Sequence, residues 1–155
     1  LEENQINYIF ELAGEGSYEN EMFHFIENNK LKEKVKLIGK IDKMQIPAFW
    51  QTKDICINIS DHEGRSRTTI EAMANGVVPI VTETSGVYDD IEDGVNGFIV
   101  ALQDYKTMAK RIKYLEENRY LLKYMGEKAH LELKGKSNME EHYSFWKMII
   151  SKLCE

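Results

Sequence analysis

The chain has 155 residues, of which 43% are hydrophobic and 30% charged, and its formal net charge is -6. Such a length and composition support a globular domain with a sizeable core, while the negative balance argues against a nucleic-acid-binding surface, which needs a basic face. The two cysteines, Cys56 and Cys154, have neither zinc nor disulfide-framework spacing, so a reducing compartment is expected; no apolar run approaches the roughly 18–20 residues of a bilayer span, and the first residues do not read as a signal peptide.

Residues 7–13 read as a strand that Gly14-Glu15-Gly16 ends. Glu19 occupies the place of the third glycine of a dinucleotide loop, so this is a structural strand-to-helix turn. A helical segment follows, with Met22, Phe23, Phe25, Ile26 and Leu31 available for a buried face. Val35–Gly39 reads as a second strand, and Pro47 opens a small helix containing Phe49 and Trp50. Residues 54–60 form a third strand with apolar residues at period two. A helix over residues 68–75 ends at Gly76, a C-cap glycine, and residues 77–82 are continuously apolar, as in a buried parallel sheet. Gly94 and Gly97 bracket a turn into the short strand Phe98–Val100. From Asp104 onward the pattern is helical: Met108, Ile112 and Leu115 form one stripe, residues 120–132 a further helix, and residues 138–153 the last. In that last helix Met139, Tyr143, Trp146, Ile149 or Ile150, and Leu153 share a face. Strands that alternate with helices imply an α/β fold with a Rossmann-like parallel sheet flanked by helices, followed by a helical C-terminus. No repeat, low-complexity segment or linker divides the chain, which reads as one domain over residues 1–155.

The run from Glu63 to Glu71 is where chemistry concentrates. A carboxylate sits in the loop after the third strand; Gly64, Arg65, Ser66, Arg67, Thr68 and Thr69 follow; Glu71 lies on the helix beyond. A helix start offers unpaired N–H groups and the positive end of a dipole, a place for phosphate. Carboxylates on either side of it suit hydroxyl groups, through charge-assisted hydrogen bonds. A nucleotide sugar has hydroxyls on both sides of its diphosphate. Ligands of such sheets bind at the carboxyl ends of the strands, the edge to which the loops after Ser60 and Thr82 belong. His62 adjoins the run and reads as structural, and His24, His130 and His142 have no metal-ligand spacing. Asp89-Asp90, close to Gly86, reads as a helix N-cap rather than a metal-binding pair.

The segment from His62 through Glu63-Gly64-Arg65-Ser66-Arg67-Thr68-Thr69-Ile70-Glu71-Ala72-Met73-Ala74 to Gly76, with Pro79-Ile80-Val81-Thr82 and Glu92-Asp93-Gly94-Val95-Asn96-Gly97-Phe98 after it, resembles the C-terminal, donor-binding domain of family 4 (group 1) retaining glycosyltransferases of the GT-B fold. The family signature is two glutamates with seven residues between them, ahead of Ala-Met-Ala, as at Glu63 and Glu71. Val35–Gly39 and residues 54–60 resemble the family's strands before the base-binding loop and before the motif. The resemblance implies that Glu63, the catalytic-site carboxylate, bonds hydroxyls of the donor sugar. It implies that residues 64–67 face sugar and diphosphate with their N–H groups, that Thr68 and Thr69 help hold phosphate, that Glu71 accepts from the ribose hydroxyls, and that Lys40 and Ile41 border the nucleobase. No metal or other cofactor is implied; the donor is the substrate.

The chain also departs from the pattern. Arg65 and Ser66 stand where many members have an aromatic residue and a Gly, although a subset has a small residue or Pro followed by Arg, as in Ser66-Arg67. Ser85-Gly86, Val87 and Tyr88-Asp89 replace a Gly-Gly and Pro-Glu pattern, which bears on the shape of the sugar-side loop. The family's phosphate-binding Arg and Lys, and its N-terminal acceptor domain, would lie upstream of Leu1. The expectation is therefore a fragment: the donor half of an enzyme of bacterial polysaccharide or glycoconjugate synthesis, cytoplasmic or peripheral at the inner membrane face, with any membrane contact made by the missing domain. Alone it would transfer no sugar, and its last helix, lacking that domain, could pair in a homodimer. The alternative is a non-catalytic nucleotide-binding or protein-interaction module of the same fold. A plain Rossmann cofactor domain is disfavoured, because the glycine fingerprint and its following acidic residue are absent.

Overall fold

Short β-rich segments punctuated by glycine give way, along this chain, to long amphipathic helices. In the computed structural model, which describes residues 1, 6–136 and 139–153, they form two compact units, Leu1–Thr52 and Lys53–Glu155.

In the first unit, β1 (Phe10–Ala13) and β2 (Val35–Gly39) pair in parallel, with Phe10 opposite Val35 and Leu12 opposite Leu37. Helix α1 (Glu19–Asn28) makes the crossover and buries Ile26, while Phe23 and Phe25 stay exposed. Positive φ at Gly14 (134°), just past β1, and at Gly39 (65°), the last residue of β2, turns the chain, a geometry glycine adopts without a Cβ penalty. Pro47 lies in the first turn of α2 (Ile46–Trp50), where a missing N–H is harmless, and Trp50 is buried.

The second unit is built on a three-stranded parallel sheet in the order β3 (Ile55–Asn58), β4 (Val78–Thr82), β5 (Phe98–Val100). All five residues of β4 are buried, because both faces of the sheet are covered. Val78 and Ile80 point one way, with Phe98 and Val100, into a cluster with Met108 and Leu115 of α4 (Tyr105–Glu117) and Leu122 and Met125 of α5 (Arg119–Lys136). Val81 points the other way, onto Met73 of α3 (Arg67–Ala74), Ile91, and Ala129 and Leu133 of α5. A single helix, α5, thus contributes to both apolar layers.

Helix α3 stops in a Schellman motif: Val77 N–H donates to Ala72 O and Gly76 N–H to Met73 O, with Gly76 at φ 74°. Gly126 of α5 lies directly on that turn, where an added Cβ would be 2.1 Å from Gly76 O. Asp104 caps α4 by accepting from Thr107 N–H at 2.9 Å, and the Thr107 side chain first, then this N–H, hold its carboxyl below the ordinary carboxylate pKa. The final helix, α6 (Met139–Leu153), carries exposed Tyr143, Met148 and Ile150; the side chains of Met139, Trp146 and Leu153 from the expected stripe, and that of His142, lie outside those described, as does Cys154.

Candidate functional site

Because β3 and β4 are parallel, the loops after them emerge at the same carboxyl edge, and side chains lace them together there. Thr82, buried at the end of β4, accepts from Ser60 N–H at 2.9 Å and donates to Ser60 O at 2.7 Å. Ser85 donates through Oγ to Glu63 O at 3.2 Å. Gly86 meets the same loop backbone to backbone: a Cβ there would stand 2.3 Å from Gly64 O and 2.8 Å from Arg65 N. Glycine at 86 is therefore required by close approach.

Ser66 turns this loop into α3. Its extended backbone (φ -71°, ψ 117°) and its Oγ, which accepts from Thr69 N–H at 3.4 Å, make it the N-cap. The N–H groups of Arg67 and Thr68 have no acceptor among the described residues. These two groups, with the exposed Thr68 hydroxyl, are what the helix start offers an anion.

The structure sorts the expected donor-site residues into four sets. Glu63, Gly64, Arg67, Thr68 and Glu71 gather about the start of α3 with accessible surface: Gly64, Arg67 and Thr68 are exposed, and Glu63 and Glu71 half-buried. The Glu71 carboxylate has no partner among the described residues, and Glu63 uses one oxygen, Oε2, to accept from Asn58 Nδ2 at 2.8 Å. Ser66 and Thr69 instead face inward, at 9% and 5% exposure. Both hydroxyls accept from the same Asn58 amide, at 2.8 Å and 3.3 Å, so they serve the helix start from within. Lys40 and Ile41 lie in the first unit, just past Gly39 at the carboxyl end of β2, exposed and half-buried respectively.

Arg65 takes a different place. Its Nε and Nη2 donate to the two carboxylate oxygens of Asp90, both at 2.6 Å. Asp90 is only 6% exposed, and Lys136 Nζ lies 4.0 Å from its Oδ1. The Asp90 hydrogen bond, outweighing a small burial effect, raises the guanidinium pKa above its ordinary value. This corrects the N-cap reading of Asp89-Asp90: Val87–Asp89 is a 3-10 turn, and Asp90 beyond it is the buried anchor for Arg65. Sequence reasoning missed the pairing because 25 positions separate the partners.

The loop after β4 has one more defined contact. Tyr88, 61% exposed, donates through its hydroxyl to Glu83 Oε1 at 2.6 Å, and this bond to a carboxylate raises the phenol pKa. A separate cavity of about 370 Å³ lies among Arg65, Ile70, Ala74, His130, Leu133, Lys134 and Lys136. Among the described residues, no group of His, Cys, Asp or Glu could hold a metal ion, and no helix is long and apolar enough to cross a membrane.

Comparison with known proteins accords with this geometry. The family model described as glycosyl transferases group 1 matches residues 1–132. The poly(ribitol-phosphate) alpha-N-acetylglucosaminyltransferase of Staphylococcus aureus (strain COL) is 28% identical over 138 residues, which cover 88% of this chain and 28% of that protein. The alpha-monoglucosyldiacylglycerol synthase of Acholeplasma laidlawii is 23% identical over 150 residues, covering 96% of this chain and 35% of that protein. The chain thus spans about a third of the length of the curated relatives it matches. Among solved structures, S. aureus TarM superposes with a TM-score of 0.82 at 27% identity, covering 89% of this chain and 28% of TarM. Anabaena HepE, solved in complex with UDP, gives 0.86 at 20% identity, covering 96% of this chain and 43% of HepE; that likeness is one of fold. With parallel strands flanked by helices, as in the C-terminal domains of GT-B enzymes, this chain belongs to the group 1 glycosyl transferase family.

Proposed function

We propose that this chain is the donor-nucleotide half of a retaining glycosyltransferase, moving a sugar from a nucleoside-diphosphate sugar to an acceptor in polysaccharide or glycoconjugate synthesis. The observation that carries the reading is the arrangement about α3: an open pair of N–H groups at Arg67 and Thr68 between the half-buried carboxylates of Glu63 and Glu71. The diphosphate docks at the N–H groups and the Thr68 hydroxyl, drawn by the helix dipole. Glu63 takes hydroxyls of the donor sugar and Glu71 those of the ribose, each through charge-assisted hydrogen bonds. Arg67 is the exposed cation nearest the helix start in sequence and supplies charge toward the leaving diphosphate.

Retention is supported by relatives named for alpha-linked transfer. A nucleotide sugar such as UDP-glucose is itself alpha-linked, so an alpha product keeps the configuration. A second domain, holding the acceptor, is supported by the length of the relatives, of which this chain spans about a third. Catalysis needs both substrates aligned at once, so this half alone transfers no sugar. The reading carries a cytoplasmic location, in keeping with the free, buried thiol of Cys56.

The test is calorimetry on the full-length protein with UDP, GDP and ADP. Glu71→Ala should weaken the preferred nucleotide by on the order of 1.5–3 kcal/mol, the worth of hydrogen bonds to a charged group. Unchanged affinity would sink the assignment. Nucleotide binding by the wild type without turnover of any of the corresponding sugars would favour a non-catalytic module instead.

A further inference from the structure

The last residue of β3 is polar, in a strand otherwise made of Ile55, Cys56 and Ile57. Asn58 is half-buried, and its amide nitrogen lies 2.8 Å from Glu63 Oε2, 2.8 Å from Ser66 Oγ and 3.3 Å from Thr69 Oγ1. An amide nitrogen carries two protons, so one goes to the carboxylate and the two hydroxyls share the other. The orientation is dictated by chemistry: turned over, the amide would set its carbonyl oxygen against the Glu63 carboxylate with no proton between them.

We propose that Asn58 is the positioning residue for Glu63, fixing which carboxylate oxygen meets the donor sugar. The inference rests on the reading of Glu63 as the acceptor of a sugar hydroxyl. Glu63 sits in a loop, and a loop glutamate has several rotamers to lose when substrate arrives. Here it is held at both ends. Its carbonyl oxygen accepts from Ser85 and its Oε2 from Asn58, which leaves Oε1 with no partner among the described residues. Asn58 itself cannot drift, because it is a strand residue opposite Val81 of the buried strand β4. The amide thus lends the precision of the sheet to a loop carboxylate. The same amide holds Ser66 and Thr69, the residues that build the start of α3. Ser66 keeps its own bond to Thr69 N–H without Asn58, whereas Glu63 Oε2 has no second partner among the described residues; the amide therefore acts on turnover through the carboxylate, whose alignment is what converts binding into turnover.

The experiment is a double-mutant cycle in the full-length protein. The variants are Asn58→Leu, of similar size without a donor, Glu63→Ala, without an acceptor, and both together. Turnover is read as release of nucleoside diphosphate from UDP-, GDP- and ADP-sugars, and UDP, GDP and ADP affinities by calorimetry. Asn58→Leu should lower kcat roughly tenfold, the scale of one charge-assisted hydrogen bond, with nucleotide affinity within about twofold of wild type. In the Glu63→Ala background, where no side-chain acceptor is left for the amide, it should have almost no further effect, because its action passes through that carboxylate. Asn58→Asp, which keeps the shape but sets an anion against Glu63, should lose more than Asn58→Leu and guards against a folding artefact of the apolar change. Losses that multiply in the double variant would overturn the proposal and assign Asn58 to Ser66 and Thr69 alone. A wild-type kcat in Glu63→Ala by itself would overturn the reading of Glu63, so the two failures are told apart.

Discussion

Removing either member of the Arg65–Asp90 pair should have unequal consequences. In Arg65→Ala, Asp90, which is 6% exposed beside the intact guanidinium, is left with Lys136 at 4.0 Å as its nearest cation. Breaking a fully buried pair in this way costs about 3–5 kcal/mol. Arg65, however, is 50% exposed along its side chain, so water screens part of the attraction, and Lys136 offsets another part. A destabilisation of about 2 kcal/mol results. In Asp90→Ala the charge left behind is a half-exposed guanidinium that can turn to solvent, and the loss falls to about 1 kcal/mol. Arg65→Leu with Asp90→Leu should return close to wild type, since an apolar pair leaves no buried charge unmatched. Urea unfolding of the chain, followed by far-ultraviolet circular dichroism, measures all three; at this size 1 kcal/mol corresponds to roughly 2–4 °C in Tm. An Asp90→Ala variant as unstable as Arg65→Ala, or more so, would refute the assignment of the burial cost to Asp90.

Gly86→Ala should force the Gly64–Arg65 peptide away from a Cβ that would otherwise lie 2.3 Å from Gly64 O. A displacement of about 1 Å at the donor loop should lower turnover by roughly 10–100-fold, read by steady-state kinetics on the full-length protein. Burial of Cys56 pushes its thiol from 9.0 to about 12. The unfolded chain then ionises first, so the contribution of Cys56 is intact below pH 9 and declines as pH rises from 9 toward about 12. Cys56→Ala should flatten that part of the urea stability–pH curve relative to wild type.

How much of this was legible depended on the range of the interactions. Short apolar runs and glycine punctuation placed Val35–Gly39 and Phe98–Val100 at their observed bounds, and found α3 within a residue, because Gly39, Gly76 and Gly97 are local signals. The first strand was read three residues too long: residues 7–9 have strand-like composition, but the pairing with β2 starts at Phe10. The two glutamates were legible through their spacing. Their surroundings were not. Asn58 reads in sequence as one polar position of an alternating strand, and only the fold reveals that its amide reaches residues five, eight and eleven positions on. The resemblance implied that Thr69 helps hold phosphate; the fold adds that its side chain lies on the inward face of α3, which sequence alone does not show. Arg65 and Asp90 carried no local mark of each other at all.

Gly76 and Gly126 meet with no side chain between them. Contacts made through side chains can absorb a shift by changing rotamer, whereas two backbones in contact have no such slack. A push on the middle of α5 is therefore handed undiminished to the end of α3, an eight-residue helix that moves as a rod. The other end of that rod is Ser66, roughly 12–15 Å away at 1.5 Å per residue. Anything that grips α5 from outside, such as a neighbouring domain, has a stiff mechanical linkage to the helix start at which the diphosphate is proposed to dock.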